Sequence, residues 1–236
     1  MIRLHITGEG QTELAFVKHV LAPYLAEYEV YADARAVLTS KDKRTGKTYR
    51  GGFRRTFPYE TARRDILSWI SEDRNPDAFF TTMFDLYALP DDFPGCEMSQ
   101  RMPDPYAKVS CIETAFGGDI LKQRDDPRFL AYIQLHEFEA LILANPQCLD
   151  REYLENEAAI ARLSRMVERE GGNPELINCG ATTAPSKRIL AEIPEYDKVS
   201  AGSVVTGEIG MSKLLERCRH FAGWVASLKA LTPIGC

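Results

Sequence analysis

Residues 2 to 25 pass from a short apolar segment, IRLHIT, through the turn GEG into QTELAFVKHVLAPYL, where Leu14, Val17, Leu21 and Leu25 recur at helical spacing. A strand handed to a helix by so short a turn is a β-loop-α unit, and the pattern repeats. VYADARAVL reads as a second strand, and YETARRDILSWISED carries Ile66, Leu67 and Ile70 on one helical face. AFFTTMFD is an apolar strand ending in an acid, KVSCIETAFGGDIL a third helix, and RFLAYIQLH a fourth strand running into EFEALILAN. This alternation predicts an α/β fold, Rossmann-like, with a mainly parallel sheet flanked by helices on both sides. Past about residue 150 the strand signals fade, and EYLENEAAIARLSRMVEREGG and MSKLLERCRHFAGWVASLKAL each read as a long amphipathic helix. The chain is therefore divided into an α/β domain over 1–150 and a mainly helical C-terminal region over 151–236.

No apolar run approaches the roughly 20 residues of a membrane helix, and MIRLHITG enters a strand pattern without the apolar region of a signal peptide. A cytoplasmic protein with no membrane partner is expected. The six cysteines, at 96, 111, 148, 179, 218 and 236, form no C-x-x-C pair, which predicts reduced, mostly buried thiols rather than a zinc site. A net charge of −5 argues against a protein that coats nucleic acid over its whole surface, but leaves local patches open.

The turn GEGQTE places Glu9 between two glycines, with Thr12 as the expected helix N-cap and Glu13 in the first turn. A dinucleotide fingerprint is disfavoured, because Glu13 replaces its third glycine and no Gly-Lys-Ser/Thr follows. In an open parallel sheet the ligand crevice lies outside the carboxyl ends of the strands. Glu9, Asp85, and Glu137 with Glu139 all fall at such ends. Carboxylates gathered there repel one another unless a cation joins them, and Mg2+ (or Mn2+) suits one or two carboxylates plus substrate phosphate. Glu9 would be a ligand or general base, and Gly8 and Gly10 would let phosphate approach the backbone; the plainer reading makes Glu9 a solvated loop acid. In a helix starting near Glu137, that residue and Glu139 would sit about 200° apart and could not easily share a metal. His136 could contact a phosphate or simply pack.

EGQTE after the first strand, MFDLYALPDDFP, QLHEFEALI and APSKRI...IPEYDKVSAG occur in an order that resembles a bacterial Toprim-like family long labelled as of unknown function. That family is a branch of the superfamily of primases, topoisomerases and overcoming-lysogenization-defect nucleases. The resemblance spans nearly the whole chain. It implies a Toprim-like sheet in domain 1–150, on which a strand-end glutamate and an aspartate pair bind magnesium and act on phosphodiesters. Glu9 matches the glutamate and Asp85 the first aspartate. Tyr87 stands where the second is expected, so Asp91, Asp92, Glu137 or Glu139 must replace it, or the metal chemistry fails. Some relatives resemble effectors of bacteriophage defence paired with an ATPase, a partner on which these residues are silent.

The segment from Lys41 to Arg55 carries seven Lys/Arg against one Asp: Lys41, Lys43, Arg44, Lys47, Arg50, Arg54 and Arg55, with Tyr49 and Phe53 among them. Cations attract phosphate and aromatics stack on unpaired bases, so this loop is expected to hold nucleic acid unless it is only a solvated surface. Lys187 and Arg188, and Lys213 with Arg217 one helical turn on, are further phosphate candidates. The leading functional reading is a Mg-dependent phosphodiesterase, a nuclease on DNA or RNA, with Glu9, Asp85 and Glu137 as its acids and Asp91 as a further metal ligand. The alternatives are a non-catalytic nucleic-acid- or partner-binding module, and a metal-dependent nucleotidyl- or phosphotransferase.

Overall fold

A computed structural model of the chain describes residues 1–41, 44–45, 47–52, 55–177 and 183–233, apart from the side chain of Lys41. Strands β1 (Ile2–Gly8), β2 (Val30–Ala36) and β5 (Ala78–Asp85) are its centre, and β1 pairs in parallel with both others. Between β1 and β2 run α1 (Gln11–Phe16), a π-turn (Val17–Leu21) and α2 (Ala22–Ala26) as one continuous helical path. The widened turn precedes Pro23, whose ring would crowd the carbonyl of a regular turn. A hairpin of β3 (Leu38–Lys41) and β4 (Thr48–Arg50) follows, so part of the basic segment expected as a loop is an antiparallel ribbon.

Helix α3 (Tyr59–Glu72) leads into β5, and α4 (Cys96–Ser99) and α5 (Pro105–Gln123) follow it. Asp104 caps α5 by accepting from the N–H groups of Tyr106 and Ala107. The predicted fourth strand is broken: β6 (Phe129–Leu130) and β7 (Ile133–Gln134) both pair in parallel with β5. At the break the Thr82 hydroxyl donates to the Tyr132 carbonyl at 2.8 Å and accepts from the Tyr132 N–H at 3.2 Å, replacing the missing ladder. The sheet order is β2-β1-β5-β6, with β7 also on β5.

The remaining elements are helical: α6 (Glu139–Ile142), α7 (Glu157–Arg169), α8 (Pro185–Glu192), α9 (Lys198–Arg217) and α10 (Arg219–Lys229). The predicted single helix around Cys218 is two, because Cys218 takes an extended conformation between α9 and α10. Alternation along the buried strands separates two cores. Ile2, Leu4, Ile6, Phe79 and Met83 face α1, α6, α9 and α10, while Phe80 and Phe84 face α3 and α5. Four cysteines are free thiols, Cys218 fully buried; Cys179 and Cys236 lie outside the described residues. Among the described residues no helix is long and apolar enough to cross a membrane.

Candidate functional site

The chain leaves β1 towards β2 on one side and returns to β5 on the other, so the strand order reverses at the carboxyl ends of β1 and β5. Such a point opens a crevice in parallel sheets. Register puts Gly8 opposite both Ala36 and Met83, so Glu9 emerges just beyond the sheet edge and Asp85 at the end of its neighbour. The turn is locked from three directions. The Glu9 N–H donates to Met83 O at 3.2 Å, its carbonyl accepts from Gly52 N–H at 3.1 Å, and its carboxylate Oε2 accepts from Asp85 N–H at 3.2 Å. Gly51 and Gly52, both at positive φ, let the hairpin fold onto this turn.

The N-cap of α1 is Gly10 rather than Thr12, and Glu13 closes the capping box by accepting from the Gly10 N–H at 2.8 Å. The amide a phosphate would have sought is thus held by the protein's own carboxylate. Glu13, Asp85 and Glu139 are buried, and all three converge on Lys198, the first residue of α9. Its Nζ lies 2.8 Å from Asp85 Oδ2, 3.3 Å from Glu13 Oε1 and 3.8 Å from Glu139 Oε2. Glu137 lies before α6 rather than within a helix, so the 200° separation does not apply. Both Glu137 and Glu139 line one cavity of about 280 Å³ with Glu9, Asp85, Tyr87 and Lys198. Glu137 also accepts from Ser186 N–H at 3.0 Å, supplying the start of α8 with the cap that Ala184 cannot provide.

Electrostatically this is an over-acidic cleft. Burial first, then the charge of Asp85, holds the Glu9 carboxyl well above its usual range, with Lys198 opposing. Burial likewise raises Glu13 and Asp85 against the pull of Lys198. It pushes Glu139 up to about 7, where the group can give or take a proton near neutrality. For Lys198 burial works downward, but Asp85, Glu13, Glu139 and Glu9 together hold its pKa well above the ordinary lysine value.

Among the described residues, no three His, Cys, Asp or Glu side chains form a ready-made metal cage. Asp85 Oδ1 is buried without a hydrogen-bond partner among those residues, whereas Glu13 Oε1 faces the Lys198 ammonium at 3.3 Å. Such hard oxygen donors suit a divalent cation that takes one or two carboxylates and completes its shell with water and substrate oxygens.

Asp91 is exposed and ion-paired with Arg55, lining a neighbouring cavity of about 640 Å³ that shares Tyr87 and Glu137 with the acidic one and adds Lys108. Asp92 accepts from the Tyr59 N–H at the start of α3. Arg50 forks onto buried Asp65 at 2.9 and 3.0 Å, a clamp that ties the hairpin to α3. Arg44 and Lys47 are exposed, with Lys47 Nζ 5.3 Å from the Tyr49 ring centroid. Lys43, Arg54 and Phe53 lie outside the described residues, as does the Lys41 side chain. Lys187 is exposed, and Arg188 donates to Thr183 O at 2.9 Å. Lys213 pairs with Glu216 at 2.9 Å and Arg217 donates to Gly172 O at 3.0 Å, so each is engaged within the protein. His136 is buried; its Nε2 lies 2.9 Å from the Glu175 carbonyl, which can only accept, so that nitrogen carries the proton. Burial lowers its pKa to about 4, leaving a neutral packing residue.

Residues 8–229 match the model of a family described as "Domain of unknown function (DUF4276)". No curated protein matches the chain. A solved structure, the C-terminal region of the Burkholderia pseudomallei OLD protein, is similar at 13% identity with a TM-score of 0.42, covering 96% of this chain and 96% of that one.

Proposed function

The chain belongs to the DUF4276 family, and we propose that it is a metal-dependent phosphodiesterase acting on nucleic acid. One observation carries this reading. At the point where the strand order reverses, Glu9, Glu13, Asp85 and Glu139 gather around a single lysine, four carboxyls to one ammonium. Such a cluster favours a further cation. The sequence resemblance to Toprim-type enzymes, with Glu9 and Asp85 at its acidic positions, supports the same chemistry.

Glu9 and Asp85 would hold Mg2+ or Mn2+, which when bound stabilises charge on a transferring phosphate and lowers the pKa of an attacking water. Lys198, half-exposed on the cavity side, presents the cavity's ammonium to a phosphate oxygen. Glu139, with its pKa near 7, is the acid or base suited to moving a proton at neutral pH. Glu137 fixes the start of α8 beside the cavity. Lys108, in the adjoining cavity, supplies positive charge for a flanking phosphate, with Arg55 beside it paired to Asp91.

A second reading rests on Lys198 itself. Its contacts with three buried carboxylates also make a closed, self-neutralised cluster, as in a binding module without turnover. Incubating DNA and RNA, single-stranded and duplex, with Mg2+, Mn2+ or chelator separates the two. Metal-dependent cutting that falls on the order of 100-fold in Glu9→Gln, with binding retained, is expected of the enzyme. Binding without cutting under every condition selects the module, and a Glu9→Gln protein that cuts like wild type rejects the role given to Glu9.

A further inference from the structure

The cleft between α7 and α8, about 430 Å³ in volume, is lined by Arg162, Arg165 and Arg169 of α7, Arg188 of α8, and one acid, Glu192. Those five side chains sum to +3, in a chain whose net charge is −5. Acids are plentiful elsewhere, yet here only Arg162 is matched, donating to Glu192 at 2.6 Å. Arg165 and Arg169 are exposed and have no ion pair or hydrogen bond among the described residues. Standing at i, i+4 on one helix they repel each other, and an anion between them would reverse that repulsion. Guanidinium forks facing one cleft match the oxygens of phosphate, as of carboxylate, in bidentate geometry.

The cleft is joined to the acidic cavity by one short helix. Ser186, at the start of α8, lines the carboxylate cavity, while Arg188 and Glu192 line the cleft. From Ser186 to Glu192 the helix rises only about 9 Å. Along a B-form duplex each strand advances roughly 3.4 Å per phosphate, so that rise corresponds to about three phosphate steps.

We infer that the α7–α8 cleft grips the phosphate backbone of the nucleic-acid strand on which the carboxylate cavity acts, an inference that rests on the proposed phosphodiesterase reading. Neither Arg165 nor Arg169 touches the carboxylates, so their loss affects binding rather than the chemistry of the acids.

The test is fluorescence anisotropy of labelled single strands, one DNA and one RNA, titrated with the full chain in chelator so that nothing is cut. Wild type, Arg165→Ala/Arg169→Ala and, as an exposed cation elsewhere, Lys122→Ala are compared across salt concentrations. The double variant is expected to bind at least about fivefold more weakly, with a salt slope shallower by about 1.4, the value for two lost phosphate contacts on a single strand. Lys122→Ala should match wild type, and all three proteins should melt together. A double variant with wild-type affinity and slope overturns the inference, and so does a wild-type chain that binds neither strand. Cleavage measured in parallel with metal keeps the two claims apart. Cutting with an unimpaired double variant removes the cleft and leaves the cavity, whereas impaired binding without any cutting supports the cleft and removes the phosphodiesterase.

Discussion

Lys198 Nζ meets Asp85 Oδ2 at 2.8 Å with Glu13 and Glu139 on the same ammonium, so its removal leaves three buried carboxylates without their shared counter-charge. Breaking a buried pair by deleting one partner costs about 3–5 kcal/mol. Lys198→Met is therefore expected to lower the melting temperature sharply at pH 8, with Mg2+ restoring more stability to the variant than it adds to wild type. No metal effect on the variant would count against a cation site there. Glu139 gives a pH signature. Its folded-state pKa of about 7 exceeds the ordinary 4.5, so between those values the unfolded chain releases the proton first. Stability from this group is complete below about 4.5, falls as pH rises to about 7, and is level above that. At about 1.4 kcal/mol per unit the loss is on the order of 3 kcal/mol. Denaturant melts at pH 5 and pH 8 should show Glu139→Gln losing less stability than wild type over that interval; equal losses would mean that Glu139 does not titrate there. Glu9 and Asp85 were legible in the sequence because each ends a strand. Lys198 carries no sequence signal of its role, because its partner Asp85 lies 113 residues away and no local period records a contact of that span. Glu13 reads in sequence as a helix-dipole residue, its reach to Lys198 hidden for the same reason.

Helix α9 brings that lysine to the strand ends by packing closely on α1. A Cβ added to Gly202 would lie 2.6 Å from Thr12 Cγ2 and 3.2 Å from the Phe138 ring, so the glycine sets how near the two helices come. Alanine is the better helix former by about 1 kcal/mol, but overpacking a buried contact costs about 1–3 kcal/mol. Gly202→Ala is expected to be destabilising on balance and to displace the start of α9 from the carboxylates. Adding Thr12→Ser, which removes the offending methyl, should recover most of the loss in a thermal melt; failure to do so would place the strain elsewhere. The long strands and amphipathic helices could be read from their periods, as β5 and α3 show. The broken β6 and β7 could not, since a Thr82 side chain replaces the backbone ladder at the break. Nor could the division at Cys218, where the apolar spacing continues through Phe221 and Val225 while the backbone does not.

Across the whole molecule, the site exists because parallel strands reverse their order beside β1, and the alternation of strands and helices in the sequence was sufficient to anticipate that sheet. What alternation cannot supply is closure. The core on the β1 side draws on residues from Ile2 to Leu228, so the helices after residue 150 complete the cavity wall as well as covering the sheet. The basic hairpin illustrates the same limit, for Arg50 reads as a free cation in sequence and is clamped to Asp65 in the fold. The central claim, that the strand-end acids form a divalent-cation site for phosphodiester chemistry, is tested most directly by Mn2+ titration followed by electron paramagnetic resonance. Wild type and Asp85→Asn are compared, each with a phosphorothioate oligonucleotide that resists cleavage. One Mn2+ bound per wild-type chain and none bound tightly by Asp85→Asn is the expected result; a wild type that binds no Mn2+, or a variant that binds it equally well, would contradict the claim.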